Sequence, residues 1–310
     1  MSETSARNSE QKQTISQIEK PARTISREFW QALLLTVALM LAATVIAIAV
    51  ISFGGTRRTA VPLSEAPSVP AENAIPENVP PPGRRGTVAF VIDDAGNNLR
   101  ELEPFLTFPG PLTIAVLPGL PYSAEAARQI RDAGKELFLH QPMEAAGGQP
   151  PGPGAIYTEM ENDEVLELLA RNLAEIGPVA GMNNHQGSKI TADRQVMETV
   201  LAFCRDQGIC FLDSRTTAES AAPAAAQSLG VTIGERNIFI DNEQDRPSMV
   251  RAISRGLALA GERGSAIMIG HTWSEELAFL LADLYQDLID QGYTFATVSD
   301  LLDKPGSNGM

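Results

Sequence analysis

An α/β barrel of seven or eight mostly parallel strands, preceded by one transmembrane helix, is the architecture that this 310-residue sequence predicts. Three observations point to it. Short apolar runs alternate with helical patterns from residue 87 to residue 302. Those runs are apolar throughout instead of alternating, as in parallel strands buried on both faces. Upstream, ALLLTVALMLAATVIAIAVI (32–51) runs for twenty residues without a charge. An open doubly wound sheet is the alternative to the barrel.

Residues 1–28 are polar, mixed in charge and without apolar periodicity, which predicts a disordered tail. Residues 29–53 predict the transmembrane helix. At about 1.5 Å per residue the uncharged run spans a hydrocarbon core of roughly 30 Å. Phe29 and Trp30 sit at its edge as interfacial aromatics do. Lys12, Lys20, Arg23 and Arg27 precede it, against Arg57 and Arg58 after it, which favours a cytoplasmic N-terminus. A cleaved signal peptide is the competing reading, but its apolar core would be shorter, about 7–15 residues. Residues 54–86 are a Pro-rich linker of extended, semi-rigid character. The folded domain then occupies 87–303, with a short disordered tail at 304–310.

Within that domain the expected strands are TVAFVI (87–92), LTIAVL (112–117), ELFLH (136–140), PVAGM (178–182) and ICFLD (209–213). VTI (231–233) or IFI (238–240), SAIMIG (265–270) and TFATV (294–298) complete the set. Helices are expected over 123–134, 163–177, 192–208, 247–264 and 274–292, several of them ending on glycine. Asn162 is placed to cap the helix beginning at Asp163. Cys204 and Cys210 sit in apolar surroundings that favour two buried free thiols over a disulfide.

A formal charge of −14 argues against a nucleic-acid binder, which needs a basic footprint on phosphates. The three histidines say more. His140 ends one strand, His185 lies just beyond the next, and His271 follows SAIMIG. Asp93 and Asp94 end the first strand in the same sense, and Asp213 ends ICFLD. All fall at the C-terminal ends of strands, the rim where such folds keep their chemistry. Each alone has a bland reading, a structural histidine or a solvated Asp-Gly turn. Together they suit a hydrolytic metal site. Imidazole and carboxylate bind zinc and similar ions, a free carboxylate can act as base, and a further histidine as acid. Two adjacent aspartates serve such a site if the strand ends between or just after them, where the pleat no longer forces the side chains apart. The chain has no GxSxG elbow and no phosphate-binding glycine loop.

The motifs VIDDAG, AVLPGLPYS, GKELFLHQPME, GPGAI, GMNNHQGSKIT, FLDSRTT and AIMIGHTW, in that order, resemble the divergent polysaccharide deacetylases. These are relatives of the NodB-homology deacetylases of carbohydrate esterase family 4. The resemblance implies a distorted (β/α) barrel and a divalent metal, zinc foremost. It matches Asp93 to the catalytic base, Asp94 to the metal-binding aspartate and His140 to the first histidine of an H-x-x-x-H motif. Glu144 occupies that motif's second position, so the third ligand lies between His185, arriving from the next strand, and Glu144. His271 matches the histidine that assists the leaving amine, and Asp213 a residue supporting the site. Asn183, Asn184 and Ser188 are expected as supporting or substrate-contacting groups. The superfamily's Arg-Pro motif has no counterpart, which leaves the orientation of the base without a residue to explain it. Thr272 and Trp273 stand where relatives of this branch carry proline. Trp273 reads equally as a sugar-stacking platform or as packing at the start of the last long helix.

The expectation is therefore a metal-dependent hydrolase that removes N-acetyl groups from an envelope or exported polysaccharide. It would be anchored in a bacterial inner membrane, with its C-terminal domain periplasmic or extracellular. A glycan-binding domain without turnover, or a metal-dependent peptidoglycan amidase, are the alternatives on the same fold.

Overall fold

The first apolar run extends beyond its hydrophobic pattern to form β1 (Gly86–Ala95). The computed structural model of the chain describes residues 85–303. The expected N-terminal tail, the helix at 29–53, nearly all of the linker and the 304–310 tail lie outside the described residues. Among the described residues no helix is long and apolar enough to cross a membrane.

After β1 come α1 (Glu103–Leu106), β2 (Thr113–Val116), α2 (Ser123–Asp132), β3 (Glu136–Met143), α3 (Asn162–Ile176), β4 (Gly181–Gln186), α4 (Arg194–Gln207) and β5 (Cys210–Asp213). The second half adds α5 (Ala222–Leu229), β6 (Ile233–Glu235), β7 (Ile238–Phe239), α6 (Arg246–Arg263), β8 (Ser265–His271), α7 (Glu275–Asp290), β9 (Tyr293–Phe295) and α8 (Val298–Leu302). Every strand pairing is parallel. The order is β6-β5-β4-β3-β2-β1-β8-β7, with β9 beside the start of β1.

The two ends of that order, β6 and β7, are separated in the chain by Arg236 and Asn237 alone. Arg236 N–H donates to Asp213 O on β5, and Asn237 N–H donates to Ile267 O on β8, each at 2.9 Å. Two consecutive residues thus bond to β5 and β8, each next to one end of the sheet, so the sheet must curl until those ends approach. The result is a distorted barrel whose seam is crossed by the chain itself, not by a ladder.

Alternate strand residues divide between two cores. Ala89, Val91, Ala115, Phe138, Leu212, Ile267 and Ile269 fill the barrel interior, closed at the strands' N-terminal end by Val298 and Leu301 of α8. Val88, Phe90, Ile92, Ile114, Val116 and Leu139 face outward beneath the helices. Burial on both sides is why these runs carry no polar alternation. Glu136, at the start of β3, pins the plug. Its Oε2 accepts from Thr113 Oγ1 at 2.7 Å and from Val298 N–H at 3.0 Å.

Several boundaries differ from the sequence pattern for local reasons. Both VTI and IFI contribute strands, as β6 and β7, each too short to show a period. TFATV splits: β9 ends at Phe295, and Thr297 caps α8 by accepting from Asp300 N–H at 3.3 Å. The cap of α3 is Glu161, not Asn162, because Glu161 and Glu164 form a reciprocal capping box. β4 starts at Gly181 and runs through NNHQ, polar residues that periodicity reads as loop. Cys204 and Cys210 are free thiols. Burial pushes the Cys204 thiol up to about 12, which leaves it inert.

Candidate metal centre

Asp93 and Asp94 come to one opening by a device that the apolar pattern hides. In β1, Ala89 and Val91 point into the barrel, so the pleat sends Asp93 inward too, where it is 2% exposed. It sits in register with His271 on β8. The strand ends at Ala95, just after the pair. Against β2 the register slips: Ile92 faces Ile114 and Ala95 faces Val116, leaving one extra residue on β1. That bulge is absorbed at Asp94, whose φ is +67°. The left-handed turn costs roughly 1 kcal/mol for a residue with a side chain. It swings the Asp94 carboxylate round to the side that Asp93 already faces, and Gly96 (φ +121°) completes the exit.

Three atoms converge there. Asp94 Oδ1 lies 3.0 Å from His185 Nδ1 and 3.3 Å from His140 Nε2, and the two ring nitrogens are 3.2 Å apart. His140 Nδ1 is hydrogen-bonded to Asn183 Oδ1 at 2.9 Å. That bond puts a proton on Nδ1 and leaves Nε2 a bare acceptor in the neutral ring. Asp94 Oδ1 is buried and has no hydrogen-bond partner. Asp94 Oδ1, His140 Nε2 and His185 Nδ1 thus lie close enough together to hold one cation among them. A tetrahedral ion with ligands at about 2.0–2.2 Å spaces them about 3.3–3.6 Å apart, close to these separations.

The electrostatics agree. Burial pushes the Asp94 carboxyl upward, but His140 and His185 outweigh it and hold Asp94 well below the usual carboxylate range. Burial pulls His140 down, and Asp93 and Asp94 more than reverse it, so its imidazole is raised. Both shifts report a place that attracts positive charge, whether proton or metal. Asp93 goes the other way: burial raises it despite the opposing pull of His140 and His271. Its Oδ1 accepts from Asn183 Nδ2 at 2.9 Å, and its Oδ2 stays 3.7 Å from His140 Nε2. Asn183 thereby supplies the orientation for which the sequence offered no Arg-Pro motif.

His271 stands across the opening. Its Nδ1 bonds Asp241 Oδ1 at 2.9 Å, and its backbone N–H donates to Asp241 Oδ2 at 2.8 Å. Burial lowers the imidazole, but the Asp241 bond and charge, with Asp93 and Asp94 behind them, push it up to about 9. The ring stacks with Phe239 (5.8 Å, 22°) and with Trp273 (5.0 Å, 16°). Asp241 was missed in the sequence, although it closes the run IFI as Asp213 closes ICFLD; the same strand-end rule would have found it.

The remaining expected residues separate. Glu144 lies outside the Asp94–His140–His185 group and accepts from Lys189 Nζ at 2.5 Å and from Thr158 N–H and Oγ1 at 2.9 Å. The Lys189 and Thr158 bonds hold its carboxyl down to about 2 and fasten two rim loops together. Asn184 Oδ1 accepts from Ser214 N–H and its Nδ2 donates to Gln186 O, both at 2.8 Å, so it ties β4 to β5. Ser188 Oγ accepts from Ala146 N–H at 3.0 Å within the rim loops. Asp213 is fully buried and serves its own loop, accepting from Ser220 Oγ at 2.6 Å and Arg215 N–H at 2.8 Å. Trp273 is 42% exposed, stacks on His271 and donates from Nε1 to Asp94 Oδ2 at 3.3 Å. It thus touches both His271 and Asp94.

A family model described as divergent polysaccharide deacetylase matches residues 90–302. The YibQ protein of Escherichia coli is 31% identical over 220 residues, covering 71% of this chain and 68% of its own length. A Haemophilus influenzae protein is 31% identical over 199 residues, 64% of this chain and 70% of its own. A solved structure from Agrobacterium tumefaciens superimposes with a TM-score of 0.65 at 21% identity, covering 70% of this chain and 89% of that one. At that identity the likeness speaks for the fold.

Proposed function

The chain belongs to the divergent polysaccharide deacetylase family, and from that premise we propose that its barrel is a metal-dependent N-deacetylase acting on an envelope or exported polysaccharide. The observation that carries the reading is the convergence of Asp94 Oδ1, His140 Nε2 and His185 Nδ1 beside a buried free carboxylate, Asp93. The two-nitrogen, one-oxygen donor set suits zinc. Bound there, a divalent ion supplies Lewis acidity to a water molecule and to the acetamide carbonyl.

The chain's own groups divide the proton work. Asp93 is held by one oxygen and raised by burial, which makes it a base of useful strength for taking the water proton. The hydroxyl adds to the acetyl carbon, the C–N bond breaks, and acetate and a free amine leave. His271 keeps Nδ1 on Asp241, so its Nε2–H is the proton offered to the departing nitrogen. The exposed part of Trp273 would give a pyranose ring a flat apolar surface beside Asp94 and His271. The uncharged segment at 32–51 supports a membrane anchor that would present the barrel outside the cytoplasm.

Acetate release from N-acetylglucosamine oligomers and from peptidoglycan, with Zn²⁺ restored, tests this reading. Release by the parent and its loss in Asp93→Asn and His140→Ala are expected. No release above the His140→Ala control on any glycan overturns it. Peptide products in place of acetate would assign an amidase instead.

A further inference from the structure

We infer that Asn183 is a positioning residue that sets both the metal ligand His140 and the base Asp93 through one amide group. The inference rests on the metal-site reading above. β4 places Asn183 directly opposite His140 on β3, and its side chain is fully buried. Oδ1 faces His140 Nδ1 at 2.9 Å. Nδ2 donates to Asp93 Oδ1 at 2.9 Å and to Ser214 Oγ at 3.3 Å.

The amide's orientation is not free. The Asp93 carboxylate only accepts, so the group facing it must be the NH₂. Oδ1 is then the atom left for His140, and His140 Nδ1 must carry a proton to meet it. That proton fixes the ring so that Nε2 points its lone pair at Asp94 Oδ1 and His185 Nδ1. The same amide ties down one oxygen of Asp93 and leaves the other 3.7 Å from His140 Nε2. Among the described residues no other side chain donates a hydrogen bond to the Asp93 carboxylate.

Few side chains could do both tasks. A carboxylate at 183 would still accept from His140 but would set a like charge against Asp93. A cationic group would donate to Asp93 but displace the His140 proton. An aliphatic group would leave two buried polar groups unpaired. The two bonds can therefore be separated by substitution: Asn183→Asp retains the acceptor for His140 and deletes the donor to Asp93, whereas Asn183→Leu deletes both.

The test uses the full-length chain labelled with ¹⁵N-histidine, in which only three imidazoles give ring signals. Zn²⁺ affinity by chelator competition and acetate release accompany the spectra. In the parent, His140 Nδ1–H should appear as an exchange-protected ring signal, with or without zinc. Asn183→Leu should lose that signal and bind Zn²⁺ roughly 10–100-fold more weakly, as for other outer-shell partners of metal-bound histidines. Asn183→Asp should keep the signal and the Zn²⁺ affinity while losing acetate release. Parental Zn²⁺ affinity and a protected signal in Asn183→Leu overturn the His140 role. Should that variant misfold, loss of the signal in a folded Asn183→Asp overturns it equally. Parental turnover in Asn183→Asp overturns the Asp93 role. A parent that releases no acetate sinks the deacetylase reading alone, because the ring signal and metal affinity still decide for or against Asn183.

Discussion

Trp273 lies nearly parallel to His271, 5.0 Å between ring centres, while its Nε1–H points at Asp94 Oδ2 from 3.3 Å. One indole thus touches both halves of the site, the candidate ligand and the candidate acid. It also occupies the second carboxylate oxygen of Asp94, which leaves Oδ1 alone to face the histidines.

Substituting Trp273 separates these contacts. Trp273→Phe keeps the stack and loses the hydrogen bond, worth about 1 kcal/mol, so Zn²⁺ affinity should fall about fivefold. Trp273→Ala loses both, and kcat/KM should drop further than metal affinity does. Equal losses in the two variants would show that the stack contributes nothing.

The His271–Asp241 pair predicts a high alkaline limb. Activity needs the imidazolium, so it should decline as pH rises through about 9. Asp241→Asn removes the largest influence that raises His271 and should move this limb down by more than a pH unit. Stability follows the same sign. The folded value lies above the ordinary 6.5, so the contribution is complete below about 6.5 and is lost between there and about 9. Urea midpoints of parent and His271→Gln, measured across that range, should converge at the alkaline end.

Metal removal discriminates the ligands. A chelator should abolish acetate release and Zn²⁺ restore it. Zn²⁺ at a hundredfold excess over Kd should stabilise the parent by about 2.7 kcal/mol. His185→Ala should lose most of that stabilisation. Glu144→Gln should retain it, because Glu144 is bound to Lys189 and Thr158 instead. A metal-dependent melting shift lost in Glu144→Gln but kept in His185→Ala would reverse the ligand assignment.

At the opposite end of the barrel, Glu136→Ala should destabilise without touching the site. It strips the acceptor from Thr113 Oγ1 and from the first N–H groups of α8, a cost of about 2–3 kcal/mol. Thermal unfolding should shift down while the Zn²⁺ affinity of the folded protein is unchanged.

Much of this is legible in the sequence alone. The parallel strands, the rim that carries Asp93, Asp94, His140, His185 and His271, and a donor set suited to a metal follow from period, residue type and position at strand ends. These are properties of short segments, and apolar burial on both faces writes them plainly into the sequence. What only the tertiary structure decided depends on contacts between distant strands or on the sign of one dihedral angle. The bulge at Asp94, with φ at +67°, decides which aspartate faces the histidines. The pairing of β3 with β4 brings in His185 and Asn183, while Lys189 draws Glu144 away. Asp241 reaches His271 only because β7 lies beside β8, and the sheet curls round only because Arg236 and Asn237 bond to β5 and β8, the strands next to its two ends. Hydrophobic periodicity records which residues are buried. It does not record which buried polar groups meet, because that is settled by strand order and register across the whole sheet.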